Sequence, residues 1–186
     1  MSGRVHEQTA SAVWAYVGLG GNLDQPERRL AAAVEALRPY ADATRVSTLW
    51  GTAPWGPVPQ PDYVNQVMGL RTRLSALELL EVLLALEVRL GRRRADEVRW
   101  GPRVVDLDLL LHGETVLDTP TLQVPHPRLA SRRFVLAPLC ELAPELSPPG
   151  LGGSVRSLLQ SCPDSGAVWP LGPSRVSPES NEGVAW

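Results

Sequence analysis

Two carboxylates, Asp106 and Asp108, lie inside the apolar run VVDLDLLL and are the residues of this chain best suited to chemistry. In a strand, residues i and i+2 point to the same side, so the pair presents both carboxylates on one face. Buried charges need a cationic partner, and Mg²⁺ that also binds phosphates is a usual partner for such a pair. The alternative is a salt-bridged pair with nearby arginines. The spacing favours the metal role and leaves the alternative open.

Arginines are concentrated just before this pair. Six of them fall within fifteen residues, at Arg89, Arg92, Arg93, Arg94, Arg99 and Arg103. The chain has no lysine, so arginine supplies all 18 basic side chains, and a P-loop or a Schiff-base lysine is excluded. The net charge of −2 gives no overall attraction to nucleic acid. The cluster therefore indicates either a small anionic ligand or a solvated surface loop. Together with the carboxylates, phosphate-binding guanidinium groups indicate phosphoryl or nucleotidyl transfer.

The few aromatic residues have unusual positions. Trp55 and Tyr63 lie in or at the end of a proline-rich loop, and Phe134 is the only phenylalanine. Such side chains can stack on a flat heterocycle while Asn65 reads its hydrogen-bonding edge, or they can simply fill the core. His126, between two prolines, is either a phosphate contact or a turn residue.

The periodicity predicts six main elements that would position these residues. Their order is strand, helix, strand, strand, helix, strand, over residues 12–19, 26–40, 44–52, 64–74, 75–91 and 103–113. This βαββαβ order is the ferredoxin-like pattern, of the α+β class, with a largely antiparallel sheet and both long helices on one face. An edge segment over 115–122, a mixed loop and short helix over 125–144, and a short helix over 155–159 follow.

Length and composition bound the remaining possibilities. A chain of 186 residues and 20.2 kDa corresponds to one domain, which we place at residues 12–172. Residues 1–11 are expected to be a frayed leader and residues 173–186 a disordered tail. No apolar run is long enough to span a membrane, and the first residues lack the apolar core of a signal peptide. Two cysteines cannot form a disulfide framework, so a cytoplasmic location is expected.

Four strings of the chain resemble one enzyme family. They are AYVGLGGNL, TAPWGPVPQPDYVNQV, GRRRADEVRWGPRVVDLDLLLHG and VPHPRLASRRFVLAPLCELAP, and in this order they are similar to 6-hydroxymethyl-7,8-dihydropterin pyrophosphokinases of folate biosynthesis. The resemblance covers roughly residues 13–147. It implies a three-layer α/β/α sandwich and an enzyme that transfers the pyrophosphoryl group of ATP to the hydroxymethyl oxygen of the pterin, with release of AMP. It also implies two Mg²⁺ ions on Asp106 and Asp108, small-molecule substrates without nucleic-acid or membrane partners, and a monomer.

The resemblance assigns roles to individual residues. Catalytic roles fall on Arg92, Trp100 and Arg103. The ATP-binding positions are Glu87, Arg92, Trp100, Arg103, Leu109, Leu122, His126 and Arg132. The pterin-binding positions are Thr52, Ala53, Trp55, Tyr63, Asn65 and Phe134. Asn22 matches a residue beneath the pterin pocket.

Two other functions fit parts of the pattern. One is a ferredoxin-like module whose basic loop and aromatic residues bind RNA, although no strand motif typical of such modules is present. The other is a different metal-dependent nucleotidyltransferase with an Asp-x-Asp pair. Product analysis separates the last from a pyrophosphokinase, because pyrophosphoryl transfer releases AMP and nucleotidyl transfer releases pyrophosphate.

Overall fold

The computed structural model describes residues 11–54, 58–93 and 101–173. Its elements are β1 (Val13–Gly21), α1 (Pro26–Leu37), β2 (Ala43–Val46), β3 (Leu49–Thr52), β4 (Tyr63–Thr72), α2 (Ala76–Arg89), β5 (Asp106–His112), β6 (Leu117–Asp118), β7 (Gln123–Val124), α3 (Arg133–Leu142), α4 (Val155–Gln160) and β8 (Val168–Gly172). Apart from residues 11 and 173, the leader and tail expected from the sequence lie outside the described residues. No helix in the described ranges has the length and apolar character needed to cross a membrane.

The main sheet is antiparallel and has the order β5-β1-β4-β3-β8, with β2 also paired to β4. The predicted βαββαβ order and the α+β class are confirmed. The single strand expected over 44–52 is wrong in detail, because it is divided into β2 and β3. At the break the Ser47 hydroxyl accepts a hydrogen bond from Val67 N at 3.0 Å, while Ser47 N donates to Val67 O at 2.9 Å. Side chain and backbone of Ser47 thus replace the regular ladder.

The second long helix begins and ends as its sequence predicts. At its start the Ser75 hydroxyl accepts from Glu78 N at 3.3 Å, and the Glu78 carboxylate accepts from Ser75 N at 2.8 Å. This reciprocal capping box satisfies backbone groups that the helix leaves unpaired. Gly91, with φ of +95°, ends the element in the left-handed region that glycine tolerates best.

Alternating side chains of the strands form two cores, one on each face of the sheet. Under α1 and α2 the core contains Val17 and Leu19 of β1 packed with Leu30 of α1 and Leu83 of α2. On the opposite face a second core packs strand residues against the other two helices, with members Tyr16, Val67, Leu110, Leu136, Leu139 and Leu158. The predicted three layers are therefore present, with both long helices on the same face.

Candidate active site

A cavity of about 600 Å³ lies on the α3 face of the sheet, beside the start of α3. Strands β1, β4 and β5 form its floor, and the segments around residues 101–103 and 128–135 form its sides. The lining residues with polar or aromatic side chains are Thr52, Tyr63, Asn65, Gln66, Arg103, Asp106, Asp108, Arg128, Ser131, Arg132 and Phe134.

Strand pairing explains why two carboxylates and an amide meet on this floor. Gly18 of β1 is the partner of Asp108, and Gly20 is the partner of both Asp106 on β5 and Asn65 on β4. The glycines bring no side chains, so the floor between the polar groups is backbone. A Cβ at Gly20 would lie 3.3 Å from Asn65 Oδ1, which leaves little room for a larger residue.

Asp106 is held by two arginines. Arg103 Nη1 donates to Asp106 Oδ2 at 2.7 Å, and Arg92 Nη1 donates to Asp106 Oδ1 and to Glu87. Burial alone would raise the pKa of Asp106, but the two guanidinium groups outweigh it and hold that pKa below its usual value. Glu87 is 1% exposed and also accepts from Leu107 N at 2.8 Å. It therefore fixes Arg92 and the start of β5 from beneath.

Asp108 has a more distant cationic partner than Asp106 has. Its Oδ2 lies 3.5 Å from Arg132 Nη1 and 3.9 Å from His126 Nε2. Burial and the neighbouring Asp106 and Glu87 carboxylates raise the pKa of Asp108 to about 6. Burial and the two carboxylates thus outweigh the nearby arginines at Asp108, and a cation bound beside it would stabilise its ionised form.

His126 is a neutral imidazole at pH 7. Burial, together with the positive charges of Arg132 and Arg128, lowers the pKa of His126 to about 4. Its Nδ1 accepts a hydrogen bond from Arg128 N at 3.1 Å, which leaves the proton on Nε2, the nitrogen nearer Asp108. The contact with Asp108 is therefore no ion pair.

The other end of the cavity is suited to a flat ring. Tyr63 donates its hydroxyl hydrogen to Gly101 O at 2.9 Å, which fixes its ring, and Phe134 enters from the first turn of α3. Asn65 is 6% exposed, and its Nδ2 donates to Thr52 Oγ1 at 3.0 Å. An amide oriented in this way can pair with the donor and acceptor edge of a heterocycle.

Asn22 ties together two loops that border the cavity. Its Nδ2 donates to Gln60 Oε1 at 3.0 Å and to Pro61 O at 2.9 Å, and its Oδ1 accepts from Arg103 N at 2.8 Å. The position expected beneath the pterin pocket therefore fixes the backbone of Arg103 and the approach to Tyr63.

The structure brings most of the sequence-predicted site residues to one cavity, and it leaves several elsewhere. Glu87 and Arg92 lie behind Asp106 and do not line the cavity, and His126 stands at its edge beside Asp108. Leu109 and Leu122 are buried in the core under α1 and α2, so their side chains do not reach it. Trp55 and Trp100 lie outside the described residues. The predicted residues that line the cavity are Thr52, Ala53, Tyr63, Asn65, Arg103, Asp106, Asp108, Arg132 and Phe134.

Two lining residues of the turn before α3 had no signal in the sequence. Arg128 and Ser131 lie in the turn that precedes α3, and the Ser131 hydroxyl donates to Arg128 O at 3.2 Å. Only the folding of this turn brings them to the cavity that Asp108 also lines. A basic residue in an irregular segment is otherwise read as a surface charge.

The carboxylate pair suits magnesium better than a metal bound by protein alone. Among the described residues no group of three or more His, Cys, Asp or Glu side chains could hold an ion. Mg²⁺ prefers oxygen ligands and is commonly bound by one or two carboxylates together with substrate phosphates and water. Asp106 and Asp108 provide that donor set on the floor of the cavity.

The molecule is an antiparallel α/β/α sandwich with a cavity on one face of its sheet. Carboxylates and arginines lie at one end of this cavity, and aromatic and amide groups lie at the other. Together these features define a class of enzyme. It is suited to phosphoryl-group transfer onto a heterocyclic substrate. The profile of the family described as 7,8-dihydro-6-hydroxymethylpterin-pyrophosphokinase (HPPK) matches residues 16–144. The chain belongs to this pyrophosphokinase family.

Relatives agree with this assignment along most of the chain. A Pseudomonas aeruginosa protein named 2-amino-4-hydroxy-6-hydroxymethyldihydropteridine pyrophosphokinase is 46% identical over 153 residues, which are 81% of this chain and 93% of that one. Proteins of the same name from Synechocystis and Bacillus subtilis are each 42% identical, covering 86% and 71% of this chain and 80% and 79% of their own.

Solved structures agree with the fold. A crystal structure of wild-type Plasmodium falciparum HPPK-DHPS with SDX-DHP has a TM-score of 0.65 at 14% identity, over 82% of this chain. This chain spans 45% of that longer one. The likeness supports the ferredoxin-like architecture of the pyrophosphokinase domain.

Proposed function

We propose that the cavity is the active site in which this chain transfers the pyrophosphoryl group of ATP to the hydroxymethyl oxygen of 6-hydroxymethyl-7,8-dihydropterin, forming AMP and the pterin diphosphate. Family membership supports the reaction. The observation that carries the site is that one cavity joins the Asp106–Asp108 and arginine cluster to the end formed by Tyr63, Asn65 and Phe134.

The charged end is the proposed site of the triphosphate. Arg103 and Arg132 each contact one of the two carboxylates through Nη1, and guanidinium groups can bind phosphate oxygens through two parallel hydrogen bonds. Arg92, held by Glu87, adds a third positive charge behind Asp106. Mg²⁺ held by Asp106 and Asp108 would supply further neutralisation of the polyphosphate. We propose that binding of ATP exchanges arginine–carboxylate contacts for arginine–phosphate contacts.

The uncharged end is the proposed site of the pterin. Tyr63 and Phe134 offer ring faces, and Asn65 beside Thr52 offers a fixed amide for the ring edge. Because Asn65 is buried, a substrate that cannot pair with it leaves polar groups unsatisfied and is rejected. The hydroxymethyl group of a pterin bound there points toward the carboxylates, where the phosphates are expected.

Product analysis tests this proposal. Purified chain is incubated with ATP, Mg²⁺ and the reduced pterin, and the nucleotide products are separated. AMP and pterin diphosphate in equal amounts support the proposal, and release of pyrophosphate would instead make the chain a nucleotidyltransferase. Chelation of Mg²⁺ should abolish AMP formation, and added Mg²⁺ should restore it.

A surface variant provides the matched control. Arg156 pairs with Glu145 at 2.8 Å, away from the cavity. Arg156→Gln should keep the wild-type rate of AMP formation. The cytoplasmic location and the monomeric state expected from the sequence remain predictions.

A further inference from the structure

Helix α3 begins at the edge of the cavity without a capping side chain from its own segment. Its N-cap residue, Arg132, makes no side-chain capping hydrogen bond. The next two residues are Arg133 and Phe134, and Phe134 brings its ring into the cavity. The direction of that ring therefore depends on how the first turn of α3 is held.

Asp164 supplies the missing cap from 31 residues further along the chain. Its Oδ2 accepts a hydrogen bond from Arg133 N at 3.0 Å, and its backbone oxygen accepts from Arg133 Nε at 2.8 Å. Its Oδ1 accepts from Gly166 N at 2.9 Å, which orients the carboxylate. A carboxylate at a helix N-terminus also interacts favourably with the helix dipole.

The segment that carries Asp164 is fixed against the sheet. Strand β8 pairs with β3, and the Trp169 indole lies so close to Gly51 that a Cβ there would be 2.3 Å from its Nε1. A cavity of about 130 Å³ lies between this segment and the site, and it shares Thr52, Ala53 and Phe134 with the larger cavity. The segment thus stands directly behind the residues proposed to bind the pterin.

We propose that Asp164 is a positioning residue for the pterin, acting through the first turn of α3 on Phe134. Residues 164–172, which follow the 16–144 region matched to the family, then form the rear support of the heterocycle end. This inference rests on the proposed function. It adds a residue that touches no substrate and that the site residues themselves do not indicate.

The test compares two caps of helices in the same layer. Asp164→Ala removes the cap of α3, while Ser154→Ala removes the side chain that accepts from Ser157 N at 3.3 Å at the start of α4. Both should lower the melting temperature. Asp164→Ala should also raise KM for the pterin about fivefold, because a displaced Phe134 ring loses its stacking contribution, and change KM for ATP by less than about twofold. Ser154→Ala should leave both KM values unchanged.

The conservative variant separates positioning from charge. Asp164→Asn keeps an oxygen that can accept from Arg133 N, so its KM for the pterin should stay within about twofold of wild type. Calorimetry of the pterin on enzyme saturated with Mg²⁺ and α,β-methylene-ATP should show the same order of affinities.

If Asp164→Ala does not fold, Gly166→Ala provides the test, because a Cβ there would lie 2.9 Å from Asp164 Oδ1 and displace the carboxylate. It should raise KM for the pterin and not that for ATP.

The inference is overturned if the folded Asp164→Ala variant has the wild-type KM for the pterin, or if both KM values rise in parallel. It is equally overturned if Asp164→Ala does not fold and Gly166→Ala leaves KM for the pterin unchanged. In these cases the wild type still forms AMP and the proposed function stands. A wild-type chain that forms no AMP would remove the proposed function and this inference with it.

Discussion

The two faces of the main sheet use the same strands for different purposes. On the α1 and α2 face, Val17 and Leu19 of β1 pack into a continuous apolar core. On the other face, Gly18 and Gly20 of the same strand leave space, and the core gives way to the cavity. One strand therefore stabilises the domain with one set of alternate residues and leaves space for the cavity with the other.

The alternate residues of strand β5 also face the core and the cavity, but its cavity face has carboxylates where that of β1 has glycines. Leu107 and Leu109 are buried in the core under α1 and α2, while Asp106 and Asp108 line the cavity. Substitutions one residue apart should then have opposite effects. Those on the core face should lower stability without changing the chemistry, and those on the cavity face should lower activity without unfolding the protein.

The largest expected effect is on the cavity face. Asp108→Asn should lower the rate of AMP formation at least about 10²-fold, because electrostatic stabilisation by a metal amounts to several kcal/mol. Its melting temperature should stay unchanged or rise, since the change removes one of two neighbouring carboxylates. The exposed Asp118→Asn in β6 is the control, and both properties should stay at wild-type values. Near-wild-type activity of Asp108→Asn at saturating Mg²⁺ would remove the metal assignment.

A core-face substitution should show the reverse. Leu83 of α2 is fully buried, so Leu83→Ala should lower the free energy of unfolding by about 2–5 kcal/mol. Urea unfolding measures this loss, and kcat/KM per folded molecule should remain within about twofold of wild type. Leu84, next to it, is 38% exposed, and Leu84→Ala should cost far less. A large fall in kcat/KM for folded Leu83→Ala would mean that the two faces are not independent.

Two residues within the cavity should differ in the strength of their effect on the pterin. Phe134→Leu should weaken pterin binding about 2–10-fold, because an aromatic pair usually contributes that much to affinity beyond the effect of its buried area. Asn65→Leu should weaken it several-fold more, since a buried hydrogen-bonding partner is lost. Calorimetry with α,β-methylene-ATP alone should show little change in either variant. Loss of nucleotide binding with intact pterin binding would mean that the two substrates are placed the wrong way round.

The smallest effect concerns the capping box of α2, which is remote from the cavity. Hydrogen bonds from the Ser75 hydroxyl and backbone N–H hold the pKa of Glu78 below its usual value. A carboxyl whose pKa is lower in the folded state adds stability above its unfolded pKa and loses it as the pH falls through the folded pKa. The stability difference between wild type and Glu78→Gln should therefore shrink on acidification from pH 7 to below 4. An equal difference at both pH values would contradict this account, and AMP formation should be unaffected.

Features encoded by short spacing were predictable from the sequence. The i, i+2 relation placed Asp106 and Asp108 on one face, and the i, i+3 relation of Ser75 and Glu78 marked the start of α2. The same alternation argues against a side-chain role for Leu109 in the cavity, because a residue adjacent to Asp108 in a strand must point to the opposite face. That signal was present in the sequence, and the ATP-binding position that the resemblance assigns to Leu109 remains a prediction.

Features that depend on distant segments were not predictable. The break between β2 and β3 arises because Ser47 bonds to Val67, twenty residues away. Strand β8 and the cap from Asp164 depend on contacts between the end of the domain and earlier elements. Strand β8 pairs with β3, and Asp164 caps α3. Local propensity carries no information about such contacts, which follow only from how the sheet is completed.

A crystal structure of the chain with α,β-methylene-ATP, Mg²⁺ and 6-hydroxymethyl-7,8-dihydropterin tests the division between the two faces most directly. We expect the polyphosphate within hydrogen-bond distance of Arg103 and Arg132, the metal on Asp106 and Asp108, and the pterin ring between Tyr63 and Phe134. Nothing should bind on the α1 and α2 face. Ligands bound on that face, or a pterin at the carboxylates with phosphates beside Phe134, would contradict the account.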